Sequence, residues 1–209
     1  MIASDEQLIE RCARKDAEAF EELLRRYRGP LLGFIFGMVR DFGAAEEVFQ
    51  DTFLKIYDKA DTFREGSRFR TWLYAIAANR ARDELRRLKR RRSLSLDAPL
   101  GQEETGTHGD LMESSGPGPD DLAAAREYGK LLDEKLAGLS RAHREVVILS
   151  RLNGLTYKEI SRVLGVPPGT VRSRLHYALE HLRREMSRYR PELGEAGAQE
   201  EQEDDSGGR

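Results

Sequence analysis

Six side chains near the start of the last apolar-periodic segment carry the most chemistry: Thr170, Arg172, Ser173, Arg174, His176 and Tyr177. They fall outside the stripe made by Val171, Leu175, Ala178, Leu179 and Leu182, so a helix there has an apolar side and a hydrogen-bonding side. An arginine can donate to two acceptors on a guanine edge at once, Ser and Thr serve either base or phosphate, and a helix N-terminus favours phosphate. The ordinary alternative is a solvated helix surface. A second set stands earlier, where Asn79, Arg82 and Arg86 form one stripe at i, i+3 and i+7, rotated from Phe69, Leu73, Ile76 and Ala77. Arg80 and Glu84 fall on the apolar side and are expected to neutralise each other as an i,i+4 pair.

Other chemistries lack their residues. There is no Cys-x-x-Cys, His-Glu-x-x-His, Gly-x-Gly-x-x-Gly or Gly-Lys-Ser/Thr run, so neither a cofactor nor a metal is expected. His108, His143, His176 and His181 are scattered, and the last two, five residues apart, do not share a helical face. No clustered set suits a hydrolase or nuclease. The lone Cys12 sits on an apolar helical stripe and reads as a small core residue rather than a redox switch. One cysteine also suits a cytoplasmic chain, and the acidic start, Met1 to Glu6, is unlike a signal peptide. The longest uncharged apolar stretch, Leu31 to Val39, has nine residues, about half of the roughly 20 that cross a bilayer, so no membrane insertion is expected.

The elements that must hold these groups are helices. Ser4 with Gln7 opens a first helix bearing Leu8, Ile9 and Cys12. Asp16 caps a second, with Phe20, Leu23, Leu24 and Tyr27, whose pattern resumes after Pro30. Ala44 to Asp58 keeps helical spacing through Val48, Phe49, Phe53, Ile56 and Tyr57. A loop, Phe63 to Ser67, precedes a long helix to about Arg92. Further on, a helix from Asp120 or Asp121 ends at Gly138, Ser140 caps the next, and Thr156 with Glu159 forms a capping box. Gly165-Val166-Pro167 then turns the chain into the final helix, making a helix-turn-helix whose core is Leu155, Ile160, Leu164, Val166, Val171 and Leu175.

The net charge of -2 conceals four segments. Residues 1–92 hold 20 basic and 16 acidic side chains, eight of the basic ones between Arg80 and Arg92. Residues 93–122 hold seven acids and no base, and are rich in Gly and Pro, as a flexible linker would be. Residues 123–190 hold 14 basic and seven acidic side chains, and the tail 191–209 holds one base and seven acids, as expected of a disordered segment. The fold class is therefore all-α: two small cationic helical domains joined by a flexible acidic linker, the second a helix-turn-helix domain of four helices. Two cationic bodies suit a polyanionic partner, because neutralising phosphates releases counterions.

Three stretches, in this order, resemble the extracytoplasmic-function sigma factors of the sigma-70 family of bacterial RNA polymerase. Leu155 to His176 is similar to their domain four, Phe63 to Asn79 to their promoter-melting region, and Glu46 to Tyr57 to their clamp-binding helix. The resemblance implies a non-catalytic subunit that binds core RNA polymerase at its clamp and flap and directs initiation at promoters with −35 and −10 elements. It implies that Thr170, Arg172, Ser173, Arg174, His176 and Tyr177 read the −35 element. Phe63, Arg64, Glu65, Gly66 and Ser67 would form the pocket for a base turned out of the −10 element, with Asn79, Arg82 and Arg86 beside it. Gln50, Asp51, Phe53 and Leu54 would face the clamp. It also implies an anti-sigma partner, a chain monomeric when free or 1:1 with that partner, and residence in the bacterial cytoplasm, at the nucleoid when active.

Phe63, Trp72 and Tyr74 could stack on bases or belong to the core; spacing does not decide between these. The acidic linker could mimic a nucleic acid in the polymerase's RNA channel through Glu103, Glu104, Asp110 and Glu113, or serve as a solubilising spacer. The competing function is a two-domain regulator in which only the helix-turn-helix touches DNA. That alternative gives the Asn79, Arg82 and Arg86 stripe nothing to bind.

Overall fold

In the computed structural model, which describes residues 3–64, 66–94 and 134–187, all the regular structure among those residues is helical. Apart from Ser93 and Leu94, which are helical, the expected linker, the tail and most of the helix expected before Gly138 lie outside the described residues.

Helix α1 (Asp5–Ala13) opens with the capping box between Ser4 and Gln7 and buries Leu8, Ile9 and Cys12. Burial pushes the Cys12 thiol up, away from reactive thiolate. Helix α2 (Ala17–Val39) starts at Asp16, whose carboxylate accepts the Ala19 N–H at 3.1 Å. It runs through Pro30 without ending. Pro30 removes one backbone donor, and the chain stays helical because every residue from Leu31 to Val39 is buried. A helical stretch apolar all round belongs at the centre of a bundle, and here it packs against α1, α3 (Phe42–Asp58) and α4 (Phe69–Leu94). Helix α3 begins two residues before Ala44 because Asp41 caps it through the Ala44 N–H at 2.8 Å. A single 3-10 turn, Ala60–Thr62, leads toward α4.

The N-terminus of α4 is satisfied from a distance: the Glu6 carboxylate on α1 accepts the Phe69 N–H at 3.1 Å. Phe69, Leu73, Tyr74, Ala77, Ala78 and Ala81 then form the buried side of α4. Arg80 and Glu84 do not pair as expected. Arg80 reaches Asp51 of α3 at 3.9 Å, while Glu84 takes Arg87 at 2.7 Å, and Arg87 also binds Glu47 of α3 at 2.9 Å.

The second half comprises a helical turn over 134–137, α5 (Arg141–Val147), a π turn (Ile148–Leu152), α6 (Tyr157–Leu164) and α7 (Pro168–Ser187). Ser140 precedes α5 but makes no side-chain cap; its hydroxyl pairs with His143 Nδ1 at 3.0 Å instead. Its core is aliphatic, with Leu136, Val146, Ile148, Leu149, Ile160, Val171 and Leu175 all buried. The two halves are in contact, where the sequence predicts independent modules: α6 packs on α4, and α5 and the π turn pack on α2.

Candidate nucleic-acid interface

The helix-turn-helix closes through its turn. Gly165 ends α6 at φ +68°, a left-handed conformation that costs glycine little, and its N–H returns to the Ser161 carbonyl. The Ser161 hydroxyl donates to the Val166 carbonyl at 2.6 Å, which pins the turn. At the start of α6, Thr156 and Glu159 form the expected capping box. Pro168 then begins α7, where a proline's missing N–H is harmless. Val171, Leu175, Ala178 and Leu182 face the core, whereas Val166 is only partly buried.

The opposite side of α7 is open. Arg172, Ser173, His176 and Tyr177 are exposed, and Thr170 and Arg174 are half-buried. Tyr177, 61% exposed, stacks edge-on with His176. His143 and His181 line one groove with Gly138, Leu139, Ser140 and Tyr177, a meeting that helical spacing within α7 does not indicate. Among the described residues no three His, Cys, Asp or Glu side chains could hold a metal.

On α4, Asn79 and Arg86 are exposed and Arg82 half-buried. Each has a local partner: Arg82 donates to Asn79 Oδ1 at 2.8 Å, and Arg86 pairs with Asp83 at 2.7 Å. Exposed pairs of this kind hold weakly and can be exchanged for a ligand. In the preceding loop Arg64, Gly66 and Ser67 are exposed, and Glu65 lies outside the described residues. Phe63 is half-buried, its ring 5.4 Å from Trp72 and 6.3 Å from Phe69. Trp72 is likewise half-buried and packs on Phe63 at the start of the loop. Tyr74 is fully buried, which removes it from any stacking role.

On α3, Gln50, Asp51 and Leu54 project outward, Leu54 with 63% of its surface exposed. Phe53 does not join them. It is buried between Phe49 and Phe20, at centroid distances of 5.0 and 5.9 Å, and supports the surface from beneath. Its spacing from Phe49 and Ile56 already places it on the inner face.

Sequence reasoning missed a charged cluster on α5. Arg144 and Glu145 are both buried. Burial pushes the Glu145 carboxyl up, against the opposing pull of Arg141, Arg82, Arg174 and Arg144. Arg82 of α4 and Arg174 of α7, one from each of the two polar sets, therefore both act electrostatically on this carboxylate.

Comparison with known proteins gives a consistent result. The family model for sigma-70 region 2 matches residues 23–91, and that for sigma-70 region 4 matches residues 130–182. The chain is 37% identical over 166 residues to RNA polymerase sigma factor CarQ of Myxococcus xanthus, covering 79% of this chain and 88% of the relative. It is 34% identical over 177 residues to the ECF RNA polymerase sigma-E factor of Escherichia coli K12, covering 85% and 91%. It is 29% identical over 178 residues to the ECF RNA polymerase sigma factor SigW of Bacillus subtilis, covering 85% and 94%. Two solved structures share its fold. CnrH in complex with the cytosolic domain of CnrY is 24% identical, with TM-score 0.61 over 89% of this chain and 99% of that one. The sigma factor RpoE with the anti-sigma factor NepR from Bartonella quintana is 23% identical, with TM-score 0.63 over 80% and 96%.

Proposed function

This chain belongs to the extracytoplasmic-function sigma factors of the sigma-70 family, and from that premise we propose how its surfaces divide the work of initiation. The protein is a non-catalytic specificity subunit that binds core RNA polymerase and directs transcription from promoters with −35 and −10 elements. Residues 1–92 act as domain two and 123–190 as domain four, with 93–122 as the spacer. On α7, Arg172, Ser173, Arg174, His176 and Tyr177 read the −35 element, with Thr170 at the helix start taking a phosphate. The loop 63–67, backed by Phe63 and Trp72, receives a base turned out of the −10 element, and Asn79, Arg82 and Arg86 hold the displaced strand. Gln50, Asp51 and Leu54 meet the polymerase clamp, and domain four meets the flap.

The observation that carries this reading is the pinned Gly165 turn, which presents four exposed hydrogen-bonding side chains near the N-terminus of a helix whose other face is core. Energetics supports the partnership. Duplex stacking is about 1.4 kcal/mol per step, so opening about a dozen pairs costs well over 10 kcal/mol. One loop of this kind returns a few kcal/mol at most, so strand opening draws on the polymerase.

The solved complexes of CnrH with CnrY and of RpoE with NepR support an anti-sigma partner for this chain; the reading takes that partner to bind 1:1 and the free chain to be monomeric. Among the described residues no helix is long and apolar enough to cross a membrane. Action on bacterial RNA polymerase puts the chain in the cytoplasm, at the nucleoid when active. The test adds purified chain to core polymerase and maps start sites on genomic fragments. Discrete start sites dependent on the chain are expected; transcripts identical with and without it would overturn the reading.

A further inference from the structure

Helix α1 lies outside the match to sigma-70 region 2, which begins at residue 23, and none of its side chains belongs to the surfaces assigned above. It nonetheless meets the chain on both sides of the loop 63–67. It packs against the 3-10 turn Ala60–Thr62, which leads into the loop, and against α4, which leaves it.

One hydrogen bond makes the second contact specific. The Glu6 carboxylate accepts the Phe69 N–H at 3.1 Å across 63 positions of sequence. The first N–H groups of a helix have no partner within it, and that end carries partial positive charge, so a carboxylate there is favoured on both counts. Glu6 is itself held in place. It follows Asp5 in the first turn of α1, and the Asp5 carboxylate takes the Tyr27 hydroxyl and, at 2.9 Å, Nη1 of Arg26, both from α2. The same Arg26 nitrogen donates to the Ala3 carbonyl at 2.9 Å, and the Ser4–Gln7 capping box closes the turn between them.

The network also reaches the loop through aromatic rings. Tyr27, whose hydroxyl holds Asp5, sets its ring 5.5 Å from that of Phe69. Phe69 lies 6.3 Å from Phe63 and 6.2 Å from Trp72. Phe69 is thus gripped twice, its amide by Glu6 and its ring by Tyr27, and it packs in turn on the residue that begins the loop. Beyond Phe63 the chain turns in the open: Arg64, Gly66 and Ser67 are exposed, Gly66 stands at φ +78°, and the Ser67 N–H returns to the Arg64 carbonyl at 3.1 Å. An exposed turn is positioned by the elements at its two ends, and α1 touches both.

Resting on the sigma-factor reading, we infer that α1 is a working part of −10 recognition, with Glu6 as a positioning residue: by holding the Phe69 N–H it sets where the loop 63–67 stands, and so how well that loop receives a base turned out of the duplex. Reach matters more than charge in this role. Shortening the side chain by one C–C bond, roughly 1.5 Å, exceeds the roughly 0.5 Å within which a binding constellation must be held. Glu6→Asp therefore keeps the charge and loses the grip, whereas Glu6→Gln keeps an acceptor oxygen at the same reach and loses the charge.

The test uses holoenzyme assembled from core polymerase and the full chain, on a promoter fragment located by start-site mapping, with strand opening read as permanganate-reactive thymines. Glu6→Asp and Glu6→Ala are expected to lower the open fraction about five- to ten-fold, and Glu6→Gln to stay within about two-fold of the unsubstituted chain. All three should bind core polymerase and the upstream element normally. On the free chain, emission of Trp72 should shift in Glu6→Asp and Glu6→Ala and return in Glu6→Gln. Glu6→Asp decides the matter should Glu6→Ala fail to fold. Opening unimpaired in Glu6→Asp overturns the inference. So does impaired opening in Glu6→Gln, which would assign the effect to charge, and so does an equal loss of upstream binding in Glu6→Asp, which would mark a general loss of structure. A chain that yields no start sites fails at the sigma-factor reading, while one that opens the fragment with or without the Glu6 grip fails here alone.

Discussion

The two halves hold themselves together by different means. Every buried aromatic side chain among the described residues lies in the first half: Tyr27, Phe34, Phe36, Phe49, Phe53, Phe69 and Tyr74. Several meet edge to face, Phe34 with Tyr74 at 5.3 Å and Tyr27 with Phe69 at 5.5 Å, and such rings bury large areas in fixed geometry. The second half, described over 134–187, has an aliphatic core and leaves Tyr157 and Tyr177 exposed. The difference suits the two tasks proposed for them. Holding separated strands apart means resisting duplex closure, which asks for a stiff platform beneath the loop and Asn79. Reading paired bases asks only that one helix be set at the right angle, and the Ser161–Val166 bond does that locally.

Several measurements bear on this contrast. The largest effect is expected from Phe34→Ala, which should cost about 3–5 kcal/mol and move the urea transition of the first half. Trp72, the one tryptophan, packs on Phe63 and Phe69 and reports that transition by fluorescence. Ile160→Ala should cost about 2–5 kcal/mol. It should melt helical signal from the second half while leaving Trp72 undisturbed; simultaneous loss of both signals would mean that the halves unfold as one unit. Arg172→Ala should weaken binding to the upstream element by about 1–3 kcal/mol, a factor of roughly 5 to 150. Complexes that still form should show permanganate-reactive thymines, whereas Asn79→Ala should bind upstream DNA normally and open it poorly. Equal losses in both assays for both variants would remove the division of roles.

The smallest effect is a pH dependence of opposite sign at two glutamates of the second half. Burial raises Glu145, so its ionised form at neutral pH costs stability, and that cost is recovered as pH falls through its raised value toward 4.5, the ordinary value. Glu159 is also opposed by burial, but the Thr156 hydrogen bonds and Arg68 outweigh it and hold the carboxyl below 4.5. Its contribution is present above that value and lost as pH falls through the depressed one. Thermal melts should therefore show Glu145→Gln neutral or stabilising at pH 7 and Glu159→Gln destabilising. Both differences should shrink in acid, and a common sign at pH 7 would contradict the assignment.

Much of the second half's site is legible in the sequence because its signals are local. Thr156 with Glu159, Gly165 before a proline, and the Val171, Leu175, Ala178, Leu182 stripe each specify structure within a few residues. The first half's loop and Asn79 stripe are found the same way. Phe53 is misplaced when the resemblance is given more weight than its spacing from Phe49 and Ile56. Ser140 has the right residue type for a cap, yet His143 takes its hydroxyl. The contact between the two halves has no local signature at all: its bonded pairs Arg144 and Gly37 are 107 positions apart, Tyr74 and Asn153 79 apart, and contacts between polar groups so distant leave no period in a sequence.

The π turn at Ile148–Leu152 has a consequence for how this region tolerates change. Such a turn is what regular winding becomes when one extra residue is accommodated, and it delivers Asn153 to Tyr74. Because the turn absorbs its extra residue locally, removing one residue from it would restore ordinary winding and leave the flanking elements close to their places. A one-codon deletion there should therefore be borne better than one in the regular turns of α5 or α7, where each lost residue turns all that follows by about 100°.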